Sequence, residues 1–131
     1  MIKRIQVMAL AAVLCLTGAM AYAQGAGGEW ETLSREVMEL YRAGKYDQAL
    51  VVAKKALEVA EKSVGPDHPN VAKSLNNLAY LYNAQGQYAQ AEPLFRRALA
   101  IQEKALGPDH PDVATNLNNL AVLYKNQGQY A

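Results

Sequence analysis

Val71–Ala89 reads VAKSLNNLAYLYNAQGQYA, and Val113–Ala131 reads VATNLNNLAVLYKNQGQYA. A shift of 42 residues brings 14 of these 19 positions into identity. The same shift backwards aligns Glu29–Asn70 with Val71–Asp112 at 14 of 42 positions, among them Gly44, Tyr46, Ala49, Ala56, Leu57 and the whole of GPDHP. A fixed period of this length marks a chain of supersecondary units, each burying its apolar face only against its neighbours. The sequence divides into unit 1 (29–70), unit 2 (71–112) and the first half of unit 3 (113–131).

Each unit reads as two helices. Val71, Leu75, Leu78, Ala79 and Tyr82 recur on one face, and Gly86 ends that helix because glycine accepts a positive φ. A second helix is expected over 88–106. Its inner face is Ala91, Leu94, Phe95, Ala98, Ile101 or Gln102, and Ala105, with Arg96, Arg97, Glu103 and Lys104 turned to water. Pro93 stands near its start, where one lost backbone hydrogen bond is tolerable. Ala79, Ala91 and Ala98 are small where neighbouring backbones cross.

GPDHP, at Gly65–Pro69 and again at Gly107–Pro111, sets an aspartate beside a histidine twice. A joint explains every letter: glycine ends the long helix, the first proline forbids its continuation, aspartate favours the turn, and the last proline suits the first turn of the next helix. The histidine is then expected to pack or cap. A shared metal is disfavoured, because successive units lie about 8–10 Å apart whereas two zinc ligands each lie about 2 Å from the ion. No serine or cysteine accompanies Asp67-His68 in both units, and there is no phosphate loop, HExxH or paired-carboxylate signature. The expectation is a non-enzyme with no catalytic residue, metal, cofactor or small-molecule substrate.

The N-terminus reads differently. Lys3 and Arg4 precede an apolar run from Ile5 to Met20, and Ala21-Tyr22-Ala23 supplies small residues before Gln24. This is the pattern of a signal peptide spanning 1–23, cleaved after Ala23, followed by a flexible segment at 24–28. The run falls short of the ~20 residues of a membrane-spanning helix, so contact with a membrane is expected only through export. Cys15 does not fit a lipoprotein signal, since Leu14 precedes it and the run stays apolar beyond. It leaves with the peptide, and the mature chain has no cysteine. Without Lys3 and Arg4, 11 basic residues face 12 acidic ones, scattered in ones and twes rather than in a stripe that would track phosphates. Nucleic acid is not an expected partner; a periplasmic or secreted location is.

The order Leu75, Leu78-Ala79, Tyr82, Gly86, Tyr88, Ala91, Phe95, Ala98 resembles the tetratricopeptide repeat. LNNLA, QGQYAQAEPLFRRALAI and GPDHPDVA at a 42-residue period are similar to its kinesin-light-chain type, which lengthens the usual ~34-residue unit. The resemblance implies an all-α fold, a right-handed superhelical solenoid of antiparallel helix pairs with about 2.5 repeats. It also implies a concave groove lined by the first helix of each unit. Carried onto this chain, that face is Lys73, Asn76, Tyr80 and Asn83 in unit 2, and Thr115, Asn118, Val122 and Lys125 in unit 3. Unit 1 offers Glu31, Ser34, Met38 and Tyr41. Asparagine is a poor helix former, so Asn76-Asn77 and Asn118-Asn119 need another reason to stand mid-helix. Asn76 and Asn118 are assigned to the groove, where amides can meet an extended peptide and Tyr80 offers apolar area with a polar tip. The equal alternative is that one asparagine of each pair satisfies backbone or inter-helix hydrogen bonds and holds neighbouring units in register; Asn77 and Asn119 lean toward that joint and are still counted with the groove residues.

Glu36 stands where Leu78 and Leu120 stand, which suits a capping, divergent unit 1. The apolar side of Leu117, Leu120, Ala121 and Tyr124 is expected to be partly bare. The function implied is a scaffold that binds a protein or peptide. The alternatives are a structural array that self-associates through an uncapped C-terminal end or assembles an envelope complex, and the regulatory part of a longer enzyme.

Overall fold

A computed structural model describes residues 28–128. The expected signal peptide, the segment before Gly28 and residues 129–131 lie outside them. The described residues form five helices and no strand: α1 (28–42), α2 (Tyr46–Val64), α3 (Pro69–Ala84), α4 (Tyr88–Leu106) and α5 (Pro111–Asn126). None of these helices is long and apolar enough to cross a membrane. Each helix packs on the next in the chain, α2 on α3, α3 on α4 and α4 on α5. Short joints bring each back along its predecessor.

The two joint types repeat with the period. Between the helices of a unit, Gly44 and Gly86 both take φ +74. At the end of each long helix, Gly65 and Gly107 both take φ +88, and their amides bond back to the carbonyls of Glu61 and Glu103 at 3.1 Å. A Cβ at any of these positions would meet nothing within 4 Å. Glycine is therefore required by the left-handed backbone and not by crowding. Pro69 and Pro111 open α3 and α5, where the missing N–H costs no helical bond. His68 and His110 stand at the N-caps, and each accepts a backbone N–H through Nδ1 at 3.1 Å. The histidine of GPDHP caps.

The core is a row of three clusters. Val37, Ala49, Ala53, Leu78 and Leu81 join α1, α2 and α3. Ala60, Val71, Ala72, Leu75, Ala98 and Ile101 join α2, α3 and α4, with Trp30 packed against them. Ala79, Ala91, Phe95, Leu120 and Leu123 join α3, α4 and α5. Phe95 is wholly buried, and a side chain of that size buried in full contributes about 1.5–3 kcal/mol. Both Ile101 and Gln102 are buried, the glutamine because Asn116 Nδ2 donates to its Oε1 at 3.2 Å. Ala105, expected inside, is exposed; by the last turn of α4 the half-buried Leu106 has rotated inward instead.

Two outer faces differ from the middle of the array. Glu36 and Glu39 of α1 are exposed at the positions where α3 buries Leu78 and Leu81. On α5, Leu117 is 49% exposed and Ala121 is open, whereas their equivalents Leu75 and Ala79 are sealed by α4. Leu120 is nonetheless buried and Tyr124 half-buried, because both also meet α4.

Candidate functional site

The first helices α1, α3 and α5 lie side by side in the repeat, so equivalent residues form columns across the array. Ser34, Asn76 and Asn118 are one column; Met38, Tyr80 and Val122 are another. A cleft of about 310 Å³ opens over the first column. Its walls are Trp30 and Ser34 from α1, Lys73, Asn76, Asn77 and Tyr80 from α3, and Asp112, Thr115 and Asn119 from α5, with Gln102 of α4 behind.

Hydrogen bonds between units hold these walls. Trp30 Nε1 donates to Ser74 Oγ at 2.7 Å, tying α1 to α3. Tyr80 Oη donates to Asn119 Oδ1 at 2.5 Å, tying α3 to α5. Beneath them, the wholly buried Asn116 donates through Nδ2 to the Phe95 carbonyl and to Gln102 Oε1, each at 3.2 Å. The Tyr80 ring meets Phe95 edge-on, centroids 5.7 Å apart at 82°. Burial pushes the Tyr80 phenol above its ordinary range, with nearby Tyr41 adding to the effect. By contrast, Ser34 Oγ and Asn76 Oδ1, equivalent positions in successive units, are sheltered from solvent and have no partner among the described residues.

A second cleft, of about 240 Å³, adjoins the first and is apolar: Val37, Met38 and Tyr41 of α1, with Asn77, Tyr80 and Leu81 of α3. Asn77 and Tyr80 line both. The result is one groove with a hydrogen-bonding half and an apolar half. Lys73 and Asp112 give the polar half one charge of each sign, so neither acidic nor basic segments are strongly favoured. The walls carry no histidine or cysteine that could form a nucleophile–base pair with Ser34.

The structure sorts the residues expected from sequence. Lys73, Asn76, Asn77, Tyr80, Thr115 and Asn119 line the polar cleft. Ser34, Met38 and Tyr41 of unit 1 line the two clefts, and Glu31 does not. Asn118, Val122 and Lys125 are exposed on α5 away from the cleft, because the buried side of α5, packed on α4 and tied to α3 through Asn119, is the one carrying Asn116, Asn119 and Leu123. Asn83 is instead bonded to the Nδ2 of Asn126, at 3.1 Å. The asparagine pairs therefore divide differently from expectation: Asn76 and Asn77 both face the groove, and of the second pair Asn119 reaches it, not Asn118. Tyr80 does not offer a free polar tip, since its hydroxyl is used on Asn119. Trp30, Gln102, Asp112 and the register-holding Asn116 were not among the expected site residues. A mid-helix asparagine at a core-facing position was the available signal for Asn116.

An array of helix pairs with a groove across its first helices defines a repeat solenoid of the interaction-scaffold class. The tetratricopeptide repeat model matches residues 38–104 and 71–131, and the chain belongs to that family. Nephrocystin-3 of Homo sapiens is 45% identical over 53 residues, and that of Mus musculus 53% over 53. Each match covers 40% of this chain and 4% of the relative. Among solved structures, BtubC (BKLC) from P. vanneervenii superposes with a TM-score of 0.70 at 26% identity, covering 75% of this chain and 39% of that one. A Podosopora anserina structure, described as a kinesin light chain of nearly identical TPR-like repeats, gives 0.68 at 26%, covering 76% and 47%. The chain thus spans less than half the length of each of these relatives.

Proposed function

We propose that the chain is a non-catalytic scaffold that holds an extended segment of a partner protein in this groove. The observation that carries the reading is the pair Ser34 Oγ and Asn76 Oδ1, repeat-equivalent atoms at the floor of an open cleft that have no partner among the described residues. A buried polar atom left unmatched costs about 1–3 kcal/mol, so a turn of either side chain that brings it to a donor on an incoming main chain would be favourable. Beside them, the cleft of Val37, Met38, Tyr41 and Leu81 has room for one large apolar side chain. Main chain on the polar half and an apolar anchor in the other half give an extended segment both affinity and register. The setting that fits the sequence is the periplasm or beyond, after removal of residues 1–23; an N-terminal sequence beginning at Gln24 in the exported protein would support this, and retention of Met1 would oppose it.

Peptides selected on the chain from a displayed random library provide the test. Trp30 is the single tryptophan and lines the cleft, so its fluorescence reports binding directly. Ser34→Ala combined with Asn76→Ala should weaken binding of selected peptides by roughly tenfold or more, with helicity unchanged. Unaltered affinity would remove the groove from the account. The exposed Leu117 and Ala121 favour a second reading, self-association through α5. Sedimentation of wild type against Leu117→Lys separates it from peptide capture.

A further inference from the structure

The GPDHP joints cap their helices with an acceptor that acid can remove. His68 and His110 have extended N-cap backbones (φ −79, ψ 145 and φ −70, ψ 141). Their Nδ1 atoms accept the N–H of Asn70 and of Asp112, both at 3.1 Å. Helix N-caps are ordinarily Ser, Thr, Asp or Asn, whose oxygens still accept in mildly acidic solution. An imidazole Nδ1 accepts only while it is unprotonated, with the ring proton on Nε2. Histidine is the side chain whose charge ordinarily changes between about pH 5 and pH 8.

We propose that the two joints are acid-sensitive caps: neutral imidazole secures the first turns of α3 and α5, and protonation releases them. Release matters to the groove because these turns carry part of it. Asp112 is the second residue of α5, and Lys73 follows the first turn of α3; both line the polar cleft. That functional consequence rests on the groove reading, whereas the cap itself stands on the joint geometry alone.

The two joints are not equivalent. Asp112 Oδ2 lies 3.9 Å from His110 Nδ1, and among the described residues it is the one carboxylate within 4 Å of either imidazole's nitrogens. At the same place in the first joint stands the uncharged Asn70. Within seven residues along the chain, the other charged groups are Glu61, Lys62, Asp67 and Lys73 around His68, and Glu103, Lys104 and Asp109 around His110. Arg97 engages Glu61 at 3.1 Å, which draws that carboxylate toward α4. A protonated His110 therefore exchanges its cap for an ion pair with Asp112. A protonated His68 loses its cap and leaves a cation at the positive end of the α3 dipole.

The test combines imidazole nitrogen NMR with amide hydrogen exchange on the full chain, between about pH 7.5 and pH 5. At the upper pH both rings should be the Nε2–H tautomer. On acidification, exchange protection at the Asn70 amide, corrected for the intrinsic rate, should fall roughly fivefold, the size of effect an N-cap supports. The fall at Asp112 should be smaller. His68→Asn with His110→Asn supplies oxygen caps that do not titrate there, and its protection should stay flat. An Nδ1–H tautomer at either joint, or wild-type protection as flat as that of the double variant, would overturn the proposal. The tautomer is read on the unaltered chain and decides the matter even where the variant does not fold.

Discussion

The seam between units 1 and 2 and the seam between units 2 and 3 occupy the same place in the repeat, yet different chemistry closes them. On the first, the fully buried residues of α2 are all alanines, Ala49, Ala53, Ala56 and Ala60, with Leu50 and Leu57 partly buried beside them, and the polar link is Trp30 to Ser74. On the second, α4 keeps Ala91 and Ala98 but sets Phe95 and Gln102 where α2 has Ala53 and Ala60. Asn116 then replaces Ser74 and bonds to Gln102 and to the Phe95 carbonyl. The substitutions are concerted: an acceptor enters α4 together with the buried donor on α5. The residues common to both units, the alanines and the turn glycines, set helix spacing. Those that differ set what each stretch of groove can bind.

The largest expected effect lies at the aromatic of the second seam. Phe95→Ala should cost about 3–5 kcal/mol, read as a lower urea midpoint, because it empties a fully buried site and removes the ring on which Tyr80 rests. The equivalent exchange in the other seam should also destabilise. Ala53→Phe inserts the same side chain at the same repeat position, and should cost about 1–3 kcal/mol by overpacking. A stabilising Ala53→Phe would show that the seams are interchangeable and that the comparison is wrong.

Smaller effects separate the polar links. Asn116→Ala should cost about 1–3 kcal/mol, since it leaves Gln102 Oε1 and the Phe95 carbonyl without their buried donor. Ser74→Ala should cost about 1 kcal/mol, because the indole it releases is only partly buried. Adding Gln102→Ala to Asn116→Ala should recover part of the loss, a non-additivity measurable in a double-mutant cycle.

The smallest effect is alkaline. Burial raises the Tyr80 phenol, and a hydrogen bond to Glu92 raises that of Tyr124, with burial adding. Unfolded tyrosine loses its proton near pH 10, before either of these folded phenols. The contribution of both is therefore complete below about pH 10 and is lost as the pH rises through their raised range. The stability gap between wild type and Tyr80→Phe should narrow above pH 10. A gap that is constant with pH would contradict the assignment.

Much of this fold is legible in the sequence because the period repeats its punctuation. Gly44 and Gly86, Gly65 and Gly107, and the prolines of GPDHP mark helix ends that the structure reproduces, including Tyr88–Leu106. The site is less legible, for two physical reasons. Asn118 and Asn119 differ by one residue, about 100° around a helix, and only the way α5 packs on α4 decides which of them meets the groove. Asn116 and Gln102 lie on different helices at positions where the preceding unit has Ser74 and Ala60, so the repeat that reveals the scaffold conceals their pairing. Tyr80 was legible as a groove residue, but the use of its hydroxyl on Asn119 depends on a contact across 39 residues.

The most direct measurement is an NMR titration of the isotope-labelled chain with a library-selected peptide, following side-chain amides and the Trp30 indole. The groove account predicts that the Asn76 and Asn77 amides and the Trp30 indole shift in proportion to occupancy, while Asn118 and Asn83 stay in place. Shifts confined to the outer faces of α2 and α4, around Lys54 and Arg97, with Asn76 and Asn77 unmoved, would contradict it.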